Sequence, residues 1–143
     1  HINYITKERS FGSVSYYRRV DLTRSSNTGQ PYTKDNPYYV KPGHFCLVDT
    51  LERIKVPNGY CVHMYLKSSM ARMGWNHSLA FWFDPGWDGI GTMEIKNISR
   101  YHILPIWCGM RFGQIIVQKL DGMCDKTYDG RYQNAVEVEK AKL

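Results

Sequence analysis

Short runs of apolar and aromatic residues, each of about four to eight positions, recur along most of the chain with turn residues between them. Phe45-Cys46-Leu47-Val48 precedes a Pro57-Asn58-Gly59 turn and a second run at residues 60–66. Two more occupy residues 101–106 and 112–120, with Cys108-Gly109 marking the turn that divides them. Ile115-Ile116-Val117 reads as a buried strand. In residues 80–97, aromatic and β-branched runs flank Pro85-Gly86 and Asp88-Gly89, which predicts strand, tight turn, strand, with Asp84 ending the first strand and Glu94 inside the second. The exception to the strand pattern is Lys67-Ser68-Ser69-Met70-Ala71-Arg72, a short helix-compatible stretch. Regular strands at this spacing predict an all-β sandwich or barrel. Residues 25–37 are polar and breaker-rich, hence a loop or mobile insertion, and residues 136–143 alternate apolar and charged as a final strand or an exposed tail. No internal repeat is visible.

Composition narrows the picture. At 143 residues and 43% hydrophobic content the chain can fill one core, so residues 1–143 read as a single domain. Residues 1–37 carry the weakest pattern in it. No apolar run approaches the roughly eighteen residues of a membrane span, and the first ten residues have no apolar signal core. A cytoplasmic protein without a membrane partner is expected. Cys46, Cys61, Cys108 and Cys124 form no Cys-x-x-Cys pair and have no His at zinc-finger spacing, so free thiols, no zinc and no protein-held metal are expected. The His-x-Glu and Pro-Cys-x-x-Cys ligands of the zinc-dependent nucleobase deaminases are missing as well, which excludes that class. A formal charge of +6 suits a polyanionic partner. Lys and Arg are dispersed, however, so a small phosphorylated ligand explains the charge without nucleic acid. Tyr16-Tyr17-Arg18-Arg19 could stack on bases or form an ordinary amphipathic or edge strand.

Candidate chemistry gathers in residues 67–97. Ser68 and Arg72 share a face of one helical turn. If the serines open that turn, their hydroxyls, the free backbone N–H groups and the positive end of the helix dipole converge on a spot suited to polyphosphate. Arg72 offers a planar fork, Lys67 a mobile point charge. The same residues also fit a serine cap on a surface helix. Glu94 sits between Met93 and Ile95 with aromatics nearby, where desolvation would raise a carboxyl toward the range useful for moving protons. It could equally face solvent from a half-exposed strand. Asp84 could be functional or could cap the turn.

Between residues 38 and 133 the chain resembles the dCTP deaminases, of the superfamily shared with trimeric dUTPases. The resemblance runs through Val40-Lys41-Pro42-Gly43, the stretch from Leu47-Val48-Asp49 to Lys55-Val56-Pro57, Ser68-Ser69-Met70-Ala71-Arg72, and Asp84-Pro85-Gly86-Trp87-Asp88-Gly89. It continues through Glu94, Gly109-Met110-Arg111 with Gln114, and Tyr128-Asp129-Gly130-Arg131-Tyr132-Gln133. It implies a distorted jelly-roll, barrel-like β fold with one short helix, assembled as a homotrimer with active sites between subunits. The implied reaction is metal-free hydrolysis of dCTP to dUTP and ammonia. Glu94 would shuttle protons, Ser68 and the Ala80 carbonyl would hold the attacking water, and Arg72 would stabilise developing charge. Lys67, Ser69, Gln114, Arg131 and Tyr128 would meet phosphates carrying Mg²⁺, Trp87 would pack under the deoxyribose, and Asp84 would touch its 3′-hydroxyl. Tyr132 and Gln133 belong to the segment that would close over the nucleotide. A glutamate ten positions after the aspartate separates deaminases from dUTPases, and this chain has it.

Departures from the family pattern keep other readings open. Lys67 stands for an arginine, Leu79 for a threonine that bears on water positioning and dTTP inhibition, and Ala135 for a glutamine near the base. Trp82 occupies a position that is arginine in dUTP-releasing enzymes and more often aromatic or apolar in bifunctional ones that continue to dUMP. The alternatives are a dUTP or dCTP pyrophosphatase without deaminase activity, and a catalytically silent nucleotide-sensing relative.

Overall fold

The computed structural model describes residues 2–11, 14–78, 80, 82–139, 141 and 142, and describes side chains from Val20 onward. Leu79 therefore lies outside the described residues, as do the side chains of Tyr16, Tyr17, Arg18 and Arg19. Strands β1 (Ile2–Phe11), β2 (Val14–Asp21), β3 (Tyr38–Val40), β4 (Phe45–Lys55) and β5 (Tyr60–Leu66) precede helix α1 (Ser68–Met73). Strands β6 (Trp75–His77), β7 (Trp82–Phe83), β8 (Asp88–Asn97), β9 (Leu104–Ile106) and β10 (Gly113–Lys119) follow it. All described pairings are antiparallel, in sheets of order β2-β1-β4-β8-β6, β10-β5-β7 and β3-β9. The all-β expectation with one short helix holds, but the barrel does not close. The sheets meet through side chains, and β2, β6, β7 and β10 remain edges.

The core lies between the two larger sheets. Cys46 and Val48 of β4 pair with Ile95 and Met93 of β8, and these pack toward Val62 and Met64 of β5, Phe83 of β7 and the edge-to-face pair Trp75–Phe112. Because strand side chains alternate, Phe45 and Leu47 opposite Lys96 and Glu94 fall on the other face of the sheet. Between Asp49 and Arg53 the β4–β8 register shifts, and the Thr50 hydroxyl accepts from the Gly91 N–H at 2.9 Å while donating to the Glu52 carbonyl at 2.7 Å. A Cβ on Gly91 would lie 3.0 Å from the Phe83 ring, which would have to shift to make room for it.

Several expectations are corrected. The two strands within residues 80–97 do not form a hairpin: β7 pairs with β5 and β8 with β4 and β6, so the Pro85-Gly86 turn carries the chain from one sheet to the other. Ile115, Ile116 and Val117 are 53, 52 and 57% exposed, not buried, because β10 is an edge strand with nothing described over it. Residues 2–11, which showed no clear strand pattern, form β1 in a long hairpin with β2. Residues 25–37 are a loop as expected, tied by Ser25 N–H to the Gln30 carbonyl and Tyr32 N–H to the Leu22 carbonyl. The described residues after β10 contain no strand and cross β8 as a strap. Among the described residues no helix is long and apolar enough to cross a membrane.

Candidate active site

A cleft of about 450 Å³ opens on the outer face of β4 and β8. Alternation along β8 aims Ile90, Thr92 and Glu94 into it, and Phe45 and Leu47 of β4 complete the floor. One wall comes from the crossing between sheets. The Trp87 N–H returns to the Asp84 carbonyl at 3.0 Å around Pro85-Gly86, the residue order of a type II turn, and Gly86 takes φ of +85°. That turn is anchored by paired bonds between Val56 and residues 86 and 87, which sets Asp84 and the buried Trp87 at the cleft edge beside Trp82 and Phe83.

The C-terminal strap forms the roof, with Tyr128, Tyr132, Ala135, Glu139 and Ala141 lining the cleft. Its attachments are specific. Tyr128 N–H donates to the Pro85 carbonyl, Asn134 N–H to the Asp88 carbonyl, Ile90 N–H to the Ala135 carbonyl and Glu139 N–H to the Thr92 hydroxyl. The Gln133 amide accepts from the Asp88 N–H at 2.9 Å and donates to the Gly86 carbonyl at 2.8 Å. Arg53 bonds Asp88 at 2.6 Å and reaches the Asn134 side chain at 3.4 Å. Glycines allow the close fit: a Cβ on Gly86 would strike Thr127 at 2.5 Å, and one on Gly89 would meet the Ala135 backbone at 3.0 Å.

Glu94 is the chemically distinctive group of the cleft. Its Oε2 is buried, with no hydrogen-bond partner among the described residues. Burial pushes its carboxyl above the ordinary value, while its own backbone and the nearby His77 act in the opposite sense without cancelling the shift. The apolar surroundings are Phe45, Leu47 and Ile90; Met93 and Ile95, expected to provide them, point into the core. Ala80 lies in the same cleft, brought there because β6 runs along β8 and Ser78 N–H bonds the Glu94 carbonyl at 3.0 Å. The other cleft acids are Asp84, whose Oδ1 accepts from the Trp82 indole at 2.7 Å, and Glu139, paired with Lys142.

Of the expected site residues, the cleft unites Glu94, Ala80, Asp84, Trp87, Tyr128 and Tyr132. Lys67, Ser68, Ser69 and Arg72 are elsewhere on this chain. Lys67 itself is the N-cap, without a side-chain cap bond, so neither serine caps the helix; both are exposed in its first turn. Gln114 lines a second, smaller cleft with Thr50, Glu52 and Phe112. Arg131 turns its guanidinium to the Lys142 carbonyl, and Gln133 is engaged with the backbone groups of the strap. Sequence reasoning overlooked Phe45, Leu47, Ile90, Thr92 and Glu139. For the first four, period-two alternation outward from Glu94 and its partner Leu47 was the usable signal.

Residues 6–120 match the model of the dCTP deaminase-like family. The chain belongs to that family. Among family members, the dCTP deaminase of Pyrococcus furiosus is 37% identical over 109 residues, covering 76% of this chain and 69% of the relative. For the dCTP deaminase of Thermococcus kodakarensis the values are 40% over 103 residues, 72% and 65%. The dUMP-forming dCTP deaminase of Acidothermus cellulolyticus is 34% identical over 119 residues, 79% of this chain and 60% of the relative. The alignments thus leave about a third or more of each relative unmatched. The crystal structure of 2′-deoxycytidine 5′-triphosphate deaminase from Agrobacterium tumefaciens superposes with a TM-score of 0.63 at 12% identity, over 85% of this chain and 38% of that one, a likeness of fold. The family match takes in β10 and ends at Leu120, before the strap that roofs the cleft.

Proposed function

We propose that the protein hydrolyses dCTP to dUTP and ammonia without a protein-held metal, with Glu94 as the proton shuttle. The observation that carries this reading is the Glu94 carboxyl on the apolar floor of a nucleotide-sized cleft, raised in pKa by burial, its Oε2 buried and without a hydrogen-bond partner among the described residues. A carboxyl that holds its proton more tightly than usual is suited to taking a proton and giving it back. Water held near the Ala80 carbonyl and Ser68 adds to C4 of cytosine as Glu94 takes its proton. That proton passes to N3; the second hydroxyl proton then leaves with the amino group as ammonia, and C4 becomes a carbonyl. Trp87 packs under the deoxyribose.

Among the described residues, the cleft lining contains three carboxylic acids and neither Lys nor Arg. A triphosphate with its Mg²⁺ needs cations from another surface, and the half-buried N-cap Lys67 stands with the exposed Ser69 and Arg72 of α1. We therefore place the complete site between copies of the chain in a homotrimer, with α1 of a neighbour meeting the phosphates and Arg72 stabilising the addition step. The exposed apolar row on β10 supports such an assembly.

A second activity is favoured by one observation: Asp84 shares the cleft with Glu94. A carboxylate there could activate water against the α-phosphate and carry the product on to dUMP and pyrophosphate. Incubation with dCTP and Mg²⁺, with ammonia and pyrophosphate measured together, tests both steps. Ammonia alone means deaminase, and both products mean the two-step enzyme. Pyrophosphate alone sinks the deaminase reading in favour of a pyrophosphatase, and no product from dCTP or dUTP favours a silent nucleotide-binding relative.

A further inference from the structure

At the edge of the cleft the Trp82 indole N–H donates to Asp84 Oδ1 at 2.7 Å. The indole is itself held in place. Its ring meets the His63 imidazole edge-on with centroids 4.5 Å apart, across the β5–β7 register pair, and His63 Nε2 lies 3.3 Å from Gln118 Oε1 on β10. Gln118, His63, Trp82 and Asp84 thus form a row from the outer sheet edge into the cleft. Among the described residues, Oδ2 of Asp84 accepts no hydrogen bond. A neutral N–H on one carboxylate oxygen leaves the charge in place and fixes the carboxylate plane, so the other oxygen becomes a directed acceptor.

We propose that Trp82 is a positioning residue whose indole N–H aims Oδ2 of Asp84 at a sugar hydroxyl of the bound nucleotide. The inference rests on the nucleotide-binding reading above and adds to it the residue that sets recognition of the sugar. A triphosphate repels a carboxylate and has no proton to give at neutral pH, whereas a sugar hydroxyl is a neutral donor that a fixed carboxylate oxygen suits. An indole serving only as an apolar wall would favour ligands with and without that hydroxyl equally.

The test uses the oligomer as purified, in a Glu94→Gln background, with α,β-imido dCTP and its 2′,3′-dideoxy counterpart so that turnover is blocked. The Glu94→Gln protein is expected to prefer the deoxy analogue by roughly tenfold, the size of one hydrogen bond to a charged group. Trp82→Phe, at a side chain 49% exposed and therefore tolerant of the change, should bring that preference near unity. Asp84→Asn should do the same, and the double variant should lose no more than either single one. Trp82→Phe that keeps the preference, or weakens both analogues alike, overturns the proposal, as does a Glu94→Gln protein that binds both analogues equally. Binding of neither analogue by the Glu94→Gln protein sinks the nucleotide reading itself, which distinguishes the two failures.

Discussion

Glu94 carries opposite consequences for activity and for stability. Glu94→Gln keeps the shape of the side chain and removes the proposed proton shuttle, so ammonia release should fall by at least about a hundredfold while nucleotide binding persists. Deamination at a comparable rate would refute the assigned role. The raised carboxyl has a further effect on folding. Because the folded state holds this proton more tightly than the unfolded chain, stability contributed at acid pH is lost as pH rises from the ordinary carboxylate value, near 4.5, through the folded one. Thermal melting followed against pH should therefore show Glu94→Gln gaining on the wild type above that range and losing its advantage below it. The residue was legible in the sequence through its ten-position spacing from Asp84 and the surrounding motifs. Its environment was misassigned because immediate neighbours in a strand point to the opposite face, so Leu47 across the sheet matters more than Met93 beside it.

At the level of elements, turns were legible and partners were not. Pro85-Gly86 marks a turn wherever it falls, but nothing local says that β7 will pair with β5 and β8 with β4, since pairing is decided by which faces can be buried together. The same limit hid the exposure of β10, whose Ile-Ile-Val run looks like core. The strap was legible only as a tail or a strand; its attachments come from side chains such as Gln133 that bond backbone rather than from any periodic pattern. Gln133→Ala removes the bonds to Asp88 N–H and the Gly86 carbonyl, at a cost of about 1 kcal/mol given that water can replace part of them. Limited proteolysis should then cut more readily beyond residue 120, with the melting temperature down by about 2–6 °C. Unchanged cleavage would mean that Arg53 and the backbone bonds suffice to hold the strap.

For the whole molecule, the separation of acids and cations is the feature that a single chain does not resolve. Among the described residues, Glu94 faces a cleft without a lysine or arginine, while Arg72 stands exposed on α1 outside it. Were all the chemistry contained in one chain, variants damaged at Glu94 and at Arg72 would each stay inactive in any mixture. If each site takes Glu94 from one copy and α1 from its neighbour, a mixture behaves differently. Glu94→Gln and Arg72→Ala proteins, each inactive alone, would be unfolded together, or co-expressed, so that copies assemble at random. A site is then intact only when its cleft comes from the Arg72→Ala chain and its helix from the Glu94→Gln chain. With equal amounts in a cyclic assembly this happens in about one quarter of sites. Ammonia release from dCTP should therefore recover to about a quarter of the wild-type rate per chain. Simple mixing of the folded proteins should recover less, by an amount set by how fast copies exchange. No recovery after random assembly, with both variants shown to bind nucleotide and to have the wild-type mass in solution, would place the site within one chain and require α1 to reach its own cleft.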